Sequence, residues 1–277
     1  MMRQHPRGLP YLFLTEMWER FGYYLMIGIF LLYMTDTKSG GLEMERGQAS
    51  DIFGTFIALV YITPFIGGLL ADRILGYRRS IVIGGILMGI GYMMLAIPHN
   101  LTTFYASLGI MILGNGFFKP NISTLLGNLY NEDRYRERKD DGYSIFYMGI
   151  NVGALICNFV AAYLRNKYGW SYAFMAAGIG MFAGVVVFLL GNRHYAHADI
   201  QKQAAEAETG VGQMLSVVLL PALLTGIGAW YLPGSIFGTD STDAFIFGSL
   251  PVIGFYLWTL WKANAEDKKA IRALLTI

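Results

Sequence analysis

Three charged residues lie in an apolar stretch that is long enough to cross a lipid bilayer. The stretch runs from Leu9 to Met34 and contains Glu16, Glu19 and Arg20. Placing an ionisable group at the middle of a membrane costs about 2.5–3.5 kcal/mol on insertion scales, so such groups face a partner or a water-filled path. Their residue types and depth therefore indicate a path for protons or a polar solute.

The three charges are predicted to share one face of a helix. At 100° per residue, that face carries Glu16, Glu19, Arg20, Tyr23 and Ile27, with Tyr24 at its edge. Glu16 and Arg20 are four residues apart and can form an ion pair. Two carboxylates beside one guanidinium leave excess negative charge in a medium of low dielectric, which makes one carboxylate a candidate proton acceptor. An ion network that only fixes helix packing is the alternative.

A further charge at membrane depth, Lys119, lies in another apolar stretch and is followed by Pro120. We expect Lys119 to offset the negative charge of the first helix. Pro120 removes one backbone hydrogen bond and bends its helix, which suits a moving gate. The glycines before Lys119 do not form a nucleotide-binding loop, because the Walker spacing and the following Ser or Thr are absent.

Polar side chains in two other apolar stretches are candidates for binding a solute. Tyr147 and Asn151 are four residues apart, so they share one helix face. Their hydroxyl and amide suit the polar backbone of a solute, and hydrogen bonding between helices is the alternative. Tyr61 stands close to a predicted bend at Pro64.

No catalytic, metal or nucleic-acid site is predicted. His194 and His197 stand beside Asp199, but this polar connector offers no further clustered ligand. A Ser/His/Asp arrangement and a basic surface with interleaved aromatic residues are also missing from the pattern. We therefore expect no enzyme activity, no cofactor and no nucleic-acid partner.

The composition predicts an all-α, polytopic membrane protein. Of the 277 residues, 55% are hydrophobic and 14% are charged, whereas soluble domains carry about 25% charged residues. Apolar windows of about 20 residues match the hydrocarbon thickness of a bilayer. Eight such windows lie near residues 9–34, 48–71, 80–97, 101–126, 143–164, 170–191, 212–232 and 244–261.

The distribution of basic residues predicts a cytoplasmic amino terminus. With that terminus inside, fifteen Lys and Arg residues fall in inside segments and four fall in outside loops. Such an excess marks the cytoplasmic side of multi-pass membrane proteins. We therefore expect a multi-pass protein of the cytoplasmic (inner) membrane, whose partners include the lipid bilayer.

The chain divides into four predicted regions. Residues 1–191 are expected to form a six-helix bundle, with a short loop at 72–79 between its second and third helices. Residues 192–211 read as a polar cytoplasmic connector, and residues 212–262 as two additional transmembrane helices that face lipid. Residues 263–277 combine a basic cytoplasmic segment with the start of a further core helix. This pattern is typical of the front part of a larger protein.

Four motifs resemble those of the proton-dependent oligopeptide transporters (POT/PTR family), a branch of the major facilitator superfamily. Residues 16–24 (EMWERFGYY) resemble the family's ExxERFxYY signature, and residues 67–79 resemble the superfamily's motif between helices two and three. Residues 117–121 (FFKPN) and 146–153 (FYMGINVG) are similar to its FxKPN and FYxxINxG elements. The motifs occur in the family's order on the expected helices.

The resemblance implies a proton-coupled symporter that imports di- and tripeptides or related small solutes by alternating access. It implies twelve core helices in two halves, with two extra helices between them, so the carboxy-terminal half is absent here. Implied proton-coupling residues are Glu16, Glu19, Arg20 and Lys119. Implied substrate-binding residues are Arg20, Tyr24, Tyr61, Lys119, Tyr147 and Asn151. Implied gating or structural residues are Asp72, Arg73, Arg78 and Pro120.

One position departs from the family pattern. Many peptide-carrying members have a second arginine seven residues after the signature arginine, and Ile27 stands at that position here. Losing a hydrogen bond to a charged group costs about 1.5–3 kcal/mol, so substrate preference stays open. The alternative function is a truncated or non-transporting membrane module, a half-transporter or sensor, that needs a partner chain.

Overall fold

The computed structural model describes residues 5–97, 100–200, 215–231, 234, 236 and 240–262, and these residues form helices joined by short turns. The helices are α1 (Leu9–Thr35), α2 (Arg46–Leu70), α3 (Tyr77–Leu95), α4 (Leu101–Leu129), α5 (Lys139–Tyr168), α6 (Trp170–Gly191), α7 (Leu220–Trp230) and α8 (Asp240–Lys262). The predicted start of a further core helix at 263–277 lies outside the described residues, as do connector residues 201–211.

Five segments are long and apolar enough to cross a membrane among the described residues. They are Arg46–Leu75, Tyr77–Leu95, Leu101–Leu129, Arg136–Tyr168 and Trp170–His194. Helix α1 is absent from this group because its charged residues lower its hydropathy. The last two predicted spans correspond to shorter apolar helices, Ser216–Trp230 and Thr242–Phe255. The prediction of an all-α membrane protein is confirmed.

Helix α1 lies at the centre of the first compact unit, which covers Met1–Gln203. It packs against α5 and α6, while α3 packs against α4 and α6, and α2 packs mainly on α4. A side chain at Gly153 of α5 would collide with the main chain of α1 near Met17 and Phe21. Small residues that let backbones approach closely are the usual basis of packing between membrane helices. This contact fixes the helix that carries the charged cluster.

The predicted loop at 72–79 is much shorter in the structure. A π-helical turn, Ala71–Leu75, continues α2, and Gly76 alone separates it from α3. Gly76 has φ +80°, a left-handed conformation that favours glycine, and its N–H donates to the carbonyl of Ala71 at 2.9 Å. Asp72 and Arg73 therefore lie in the π-helical turn, and Arg78 lies in the first turn of α3.

The first part of the predicted connector is folded against the bundle. Tyr195 is fully buried, and its hydroxyl donates to the carbonyl of Phe188. Asp199 accepts hydrogen bonds from the backbone N–H groups of Tyr77 at 2.8 Å and Arg78 at 3.3 Å. A carboxylate at this place caps the start of α3. Residues 192–199 are thus a segment attached to the bundle, with short helical turns at Asn192–His194 and Ala196–Ala198.

The second compact unit, Ala204–Ile277, contains α7 and α8. The two helices pack together where Gly226 and Gly248 bring their backbones close. Thr225 Oγ1 reinforces the contact by donating to the carbonyl of Phe247 at 3.0 Å. Leucine and isoleucine side chains such as Leu224 and Ile253 are exposed, which suits a surface that faces lipid.

Candidate functional site

The charged residues of α1 form one buried cluster. Only 4% of Glu16, 0% of Glu19 and 5% of Arg20 is exposed. Arg20 binds Glu19 through two hydrogen bonds, one from Nε and one from Nη2 to Oε1 at 2.7 Å. Its Nε also lies 3.3 Å from Glu16 Oε1, so the ion pair expected at a spacing of four residues is present. The guanidinium is therefore shared between both carboxylates.

This cluster contains one more carboxylate than guanidinium. Glu16 Oε2 is buried and has no hydrogen-bond partner among the described residues. The ring of Tyr23 lies 5.1 Å from Arg20 Cζ and supplies a neutral contact for the cation. An uncompensated buried carboxylate is costly. A bound proton or a nearby cation would remove that cost, which is the chemistry that this arrangement can perform.

Lys119 is the cation that we expected to balance the charge of this cluster, but it forms no direct ion pair with the two glutamates. No ion pair within 4.0 Å joins its Nζ to Glu16 or Glu19, although the lysine interacts electrostatically with both. Its Nζ instead lies 4.7 Å from the centre of the Tyr61 ring. Tyr61 is 65% exposed. Lys119 therefore offsets the negative charge over a distance, while its ammonium lies beside an exposed aromatic ring.

The other predicted solute-binding residues fall into two places. Tyr24 is half-buried and its ring lies 5.5 Å from that of Tyr23, at the edge of the cluster. Tyr147 and Asn151 are exposed on α5, and the ring of Tyr147 lies 5.8 Å from that of Phe146. The structure thus groups Tyr24 with the charged cluster and leaves Tyr147 and Asn151 on an open helix face.

Helices α2 and α4 are both interrupted by proline, and each interruption frees one carbonyl. Pro64 cannot donate to the carbonyl of Val60, four residues earlier. That carbonyl accepts from Asn115 Nδ2 of α4 at 2.9 Å. Asn115 is only 2% exposed, so its amide replaces the missing backbone donor within the bundle.

The second break is at Pro120 of α4, which frees the carbonyl of Gly116. This carbonyl faces Gly67 of α2, where any added side chain would collide with it. Asn121 Nδ2 also donates to the carbonyl of Gly67 at 3.3 Å. The breaks therefore meet at one interface between α2 and α4. Sequence reasoning missed Asn115, although an asparagine on a neighbouring helix is a signal for a proline-freed carbonyl.

Three of the four predicted gating residues, Asp72, Arg73 and Arg78, lie at the junction of α2, α3 and the attached segment. Asp72 interacts with the side chain of Tyr77. Arg78 Nε donates to Asn192 Oδ1 at 2.7 Å, and its Nη1 lies 4.0 Å from Asp199 Oδ2. These contacts tie the start of α3 to the segment that follows α6.

The two histidines of the connector are engaged in other contacts. His194 stacks on Tyr11 with ring centres 5.4 Å apart, and His197 Nε2 lies 2.8 Å from Glu132 Oε1. Asp199 caps α3, as described above. No group of three or more potential metal-binding side chains occurs in the part of the chain that the structure describes.

Comparisons with known proteins agree with this architecture. The PTR2 family profile, described as POT family, matches residues 78–220. The chain is 39% identical over 231 residues to the transporter YclF of Bacillus subtilis (strain 168), covering 80% of the chain and 46% of that protein. It is 38% identical over 283 residues to a di-/tripeptide transporter of Lactococcus lactis subsp. cremoris, covering 98% of the chain and 56% of that protein.

Solved structures give the same result. A peptide transporter POT in complex with sulfate superimposes with a TM-score of 0.75 at 32% identity, covering 98% of this chain and 56% of that one. A POT family transporter in complex with a thioalcohol-conjugated peptide gives a TM-score of 0.77 at 30% identity, covering 98% and 57%. The chain spans about half the length of the curated relatives it matches.

Proposed function

Because the chain belongs to the POT family, we propose that it forms the amino-terminal part of a proton-coupled symporter that imports di- and tripeptides or related small solutes. The observation that carries the proposal is the buried cluster of Glu16, Glu19 and Arg20 with its excess carboxylate. Ionisable groups buried within a membrane are costly and commonly mark ion and proton paths, which supports a role beyond helix packing.

The proposed proton step takes place on the α1 carboxylates. Arg20 donates two hydrogen bonds to Glu19, whereas Glu16 contacts Arg20 only through the Nε atom. The second carboxylate oxygen of Glu16 has no hydrogen-bond partner among the described residues. Glu16 is therefore the carboxylate that gains most from a proton. Its protonation would neutralise the excess charge and release the attraction that Glu16 exerts on Lys119. The protonation state of Glu16 and the position of the Lys119 ammonium would then be linked.

The proposed solute site uses the cations next to this cluster. Arg20 and Lys119 supply positive charge for the carboxylate of a peptide, and Tyr24 and Tyr61 supply adjacent rings and hydroxyls. Lys119 is suited to this role because its ammonium contacts only an aromatic ring, which a carboxylate can replace or share. Tyr147 and Asn151 would complete the site from α5 through their exposed hydroxyl and amide groups.

Alternating access would require the two halves of a complete transporter to rock around this site. Asp72, Arg73 and Arg78 occupy the junction between α2 and α3, where such a motion would be transmitted. Pro120 lies one residue after Lys119, so a bend in α4 would move the lysine. We place the protein in the cytoplasmic membrane with its amino terminus inside, in line with the distribution of basic residues.

The test is transport by the full-length protein in liposomes, comparing the wild type with Lys119→Gln. We expect the variant to lose dipeptide accumulation driven by a proton gradient, because the charge that couples solute to the glutamates is gone. Arg138→Gln is the matched control, since it removes a basic residue outside the cluster. Undiminished gradient-driven uptake by Lys119→Gln would refute the assigned role.

A further inference from the structure

A second site of mixed character lies at the start of α3, beside the end of α6. A cavity of about 620 Å³ opens between these helix ends. One part of its wall is polar and contains Arg78, Arg79, Asn192 and Asp199. The cavity is separate from the charged cluster of α1, because none of the cluster residues lines it.

The two arginines of the cavity differ in how they are paired. Arg78 already binds Asn192 and lies 4.0 Å from Asp199. Arg79 is exposed and makes no hydrogen bond or ion pair with any residue that the structure describes. Asp199 Oδ1 also accepts hydrogen bonds from the backbone N–H groups of Tyr77 and Arg78. The wall thus has one more cation than anion, and the extra cation is available.

The rest of the wall is apolar, and part of it is exposed. Val82 and Ile83 of α3 and Phe188 and Leu189 of α6 line it. Ile83 and Leu189 are exposed large hydrophobic residues, as expected for a surface in contact with acyl chains. The arginines at the first turn of α3 mark the boundary between membrane and water. A cation at that boundary above an exposed apolar groove matches the shape of a phospholipid.

We propose that this cavity binds one anionic phospholipid. Its phosphate lies against the Arg79 guanidinium, with Arg78 and Asn192 completing the polar wall, and one acyl chain follows Ile83 and Leu189. Basic pockets between membrane helices recognise anionic headgroups in this way. Because Arg78 and Asn192 also hold the attached segment to α3, the bound lipid would stabilise the junction of α3, α6 and that segment.

Binding is tested with the full-length protein in detergent by native mass spectrometry. Phosphatidylglycerol and phosphatidylcholine with identical acyl chains are titrated against the wild type and against Arg79→Gln. We expect phosphatidylglycerol to bind the wild type more tightly than phosphatidylcholine. Arg79→Gln should weaken phosphatidylglycerol about fivefold, the factor for losing roughly 1 kcal/mol of attraction per basic residue. It should weaken phosphatidylcholine less, because the choline cation of that lipid already offsets the charge of its phosphate. Arg79→Lys should keep most of the affinity.

Controls separate a lipid site from a general anion site. Arg138→Gln, a basic residue outside the cavity, should leave both lipids unaffected. Ile83→Ser should weaken phosphatidylglycerol while leaving glycerol phosphate unchanged. Equal binding of the two lipids, or equal effects of Arg79→Gln and Arg138→Gln, would overturn the proposal. So would glycerol phosphate binding as tightly as the lipid, because the cavity would then bind free phosphate esters.

Discussion

The bond between Asn115 and the carbonyl of Val60 makes a sharp prediction about stability. Asn115 donates to this carbonyl at 2.9 Å, in place of the backbone donor that Pro64 lacks. Replacing Asn115 with Ala leaves a buried carbonyl without a donor. Replacing Pro64 with Ala restores a backbone N–H that can form the ordinary helical bond to Val60. The two substitutions should therefore interact strongly.

The expected size follows from the geometry and burial of the bond. Leaving one buried polar group unpaired costs about 1–3 kcal/mol, and hydrogen bonds between membrane helices contribute about 0.6 kcal/mol on average and at most about 1.7. We therefore expect Asn115→Ala to destabilise the protein by about 1–2 kcal/mol. In the Pro64→Ala background only the lost packing remains, so the cost should fall by about 1 kcal/mol.

The assay is a double-mutant cycle on the full-length protein. Unfolding is measured by circular dichroism in mixed micelles of increasing sodium dodecyl sulfate content, for the wild type, both single variants and the double variant. Asn158→Ala is the matched control, since Asn158 is exposed and its amide donates within its own helix, to Ala154 at 3.4 Å. It should show no coupling to Pro64→Ala. Additivity of Asn115→Ala and Pro64→Ala within about 0.3 kcal/mol would refute the reasoning.

Two further predictions concern other contacts of the bundle. Gly67→Ala places a methyl group against the carbonyl of Gly116 and should destabilise the protein by about 1–3 kcal/mol. Gly54→Ala in the same helix meets open space and should stabilise the protein slightly. Melting temperatures of both variants test this prediction, and equal effects would contradict the contact. Burial alone would raise the pKa of Asp36, but hydrogen bonds, led by that from Trp170, lower it below its usual 3.8. The stability that ionised Asp36 contributes is therefore complete above pH 3.8 and is lost as the pH falls through the lower pKa that Asp36 has in the folded protein. Asp36→Asn should abolish that part of the acid dependence of the melting temperature.

The helices and the charged cluster could be predicted because each depends on local sequence. An apolar window of bilayer length specifies a helix, and a spacing of four residues brings Glu16 and Arg20 together on any helix. The predicted windows lie within a few residues of the observed bounds of α3, α4 and α6. The window predicted for α2 agrees as closely. The bounds of α5 extend further, because its charged end residues continue the helix beyond the apolar window.

The missed features depend on contacts between distant parts of the chain. The short junction after α2 exists because Asp199, over a hundred residues later, caps α3. Burial of Tyr195 likewise depends on Phe188 and the end of α6. Lys119 lies on α4, three helices after the one that carries Glu16. Its ammonium contacts Tyr61, since α2 is a helix that α4 packs against. Spacing along one helix cannot indicate which helix lies opposite.

Polar residues at membrane depth therefore divide by what they bind. Thr63, Asn115 and Asn121 each donate to a backbone carbonyl, so helix packing explains them. Glu16, Glu19 and Arg20 bind one another, and Lys119 contacts an aromatic ring. In the part of the chain that the structure describes, none of these side chains donates to a carbonyl of the α2–α4 interface. Charged groups at membrane depth are costly and commonly mark ion and proton paths, which is why we propose a role in proton coupling for these four residues. The proposal of proton coupling thus rests on residues left over once backbone hydrogen bonding has been accounted for.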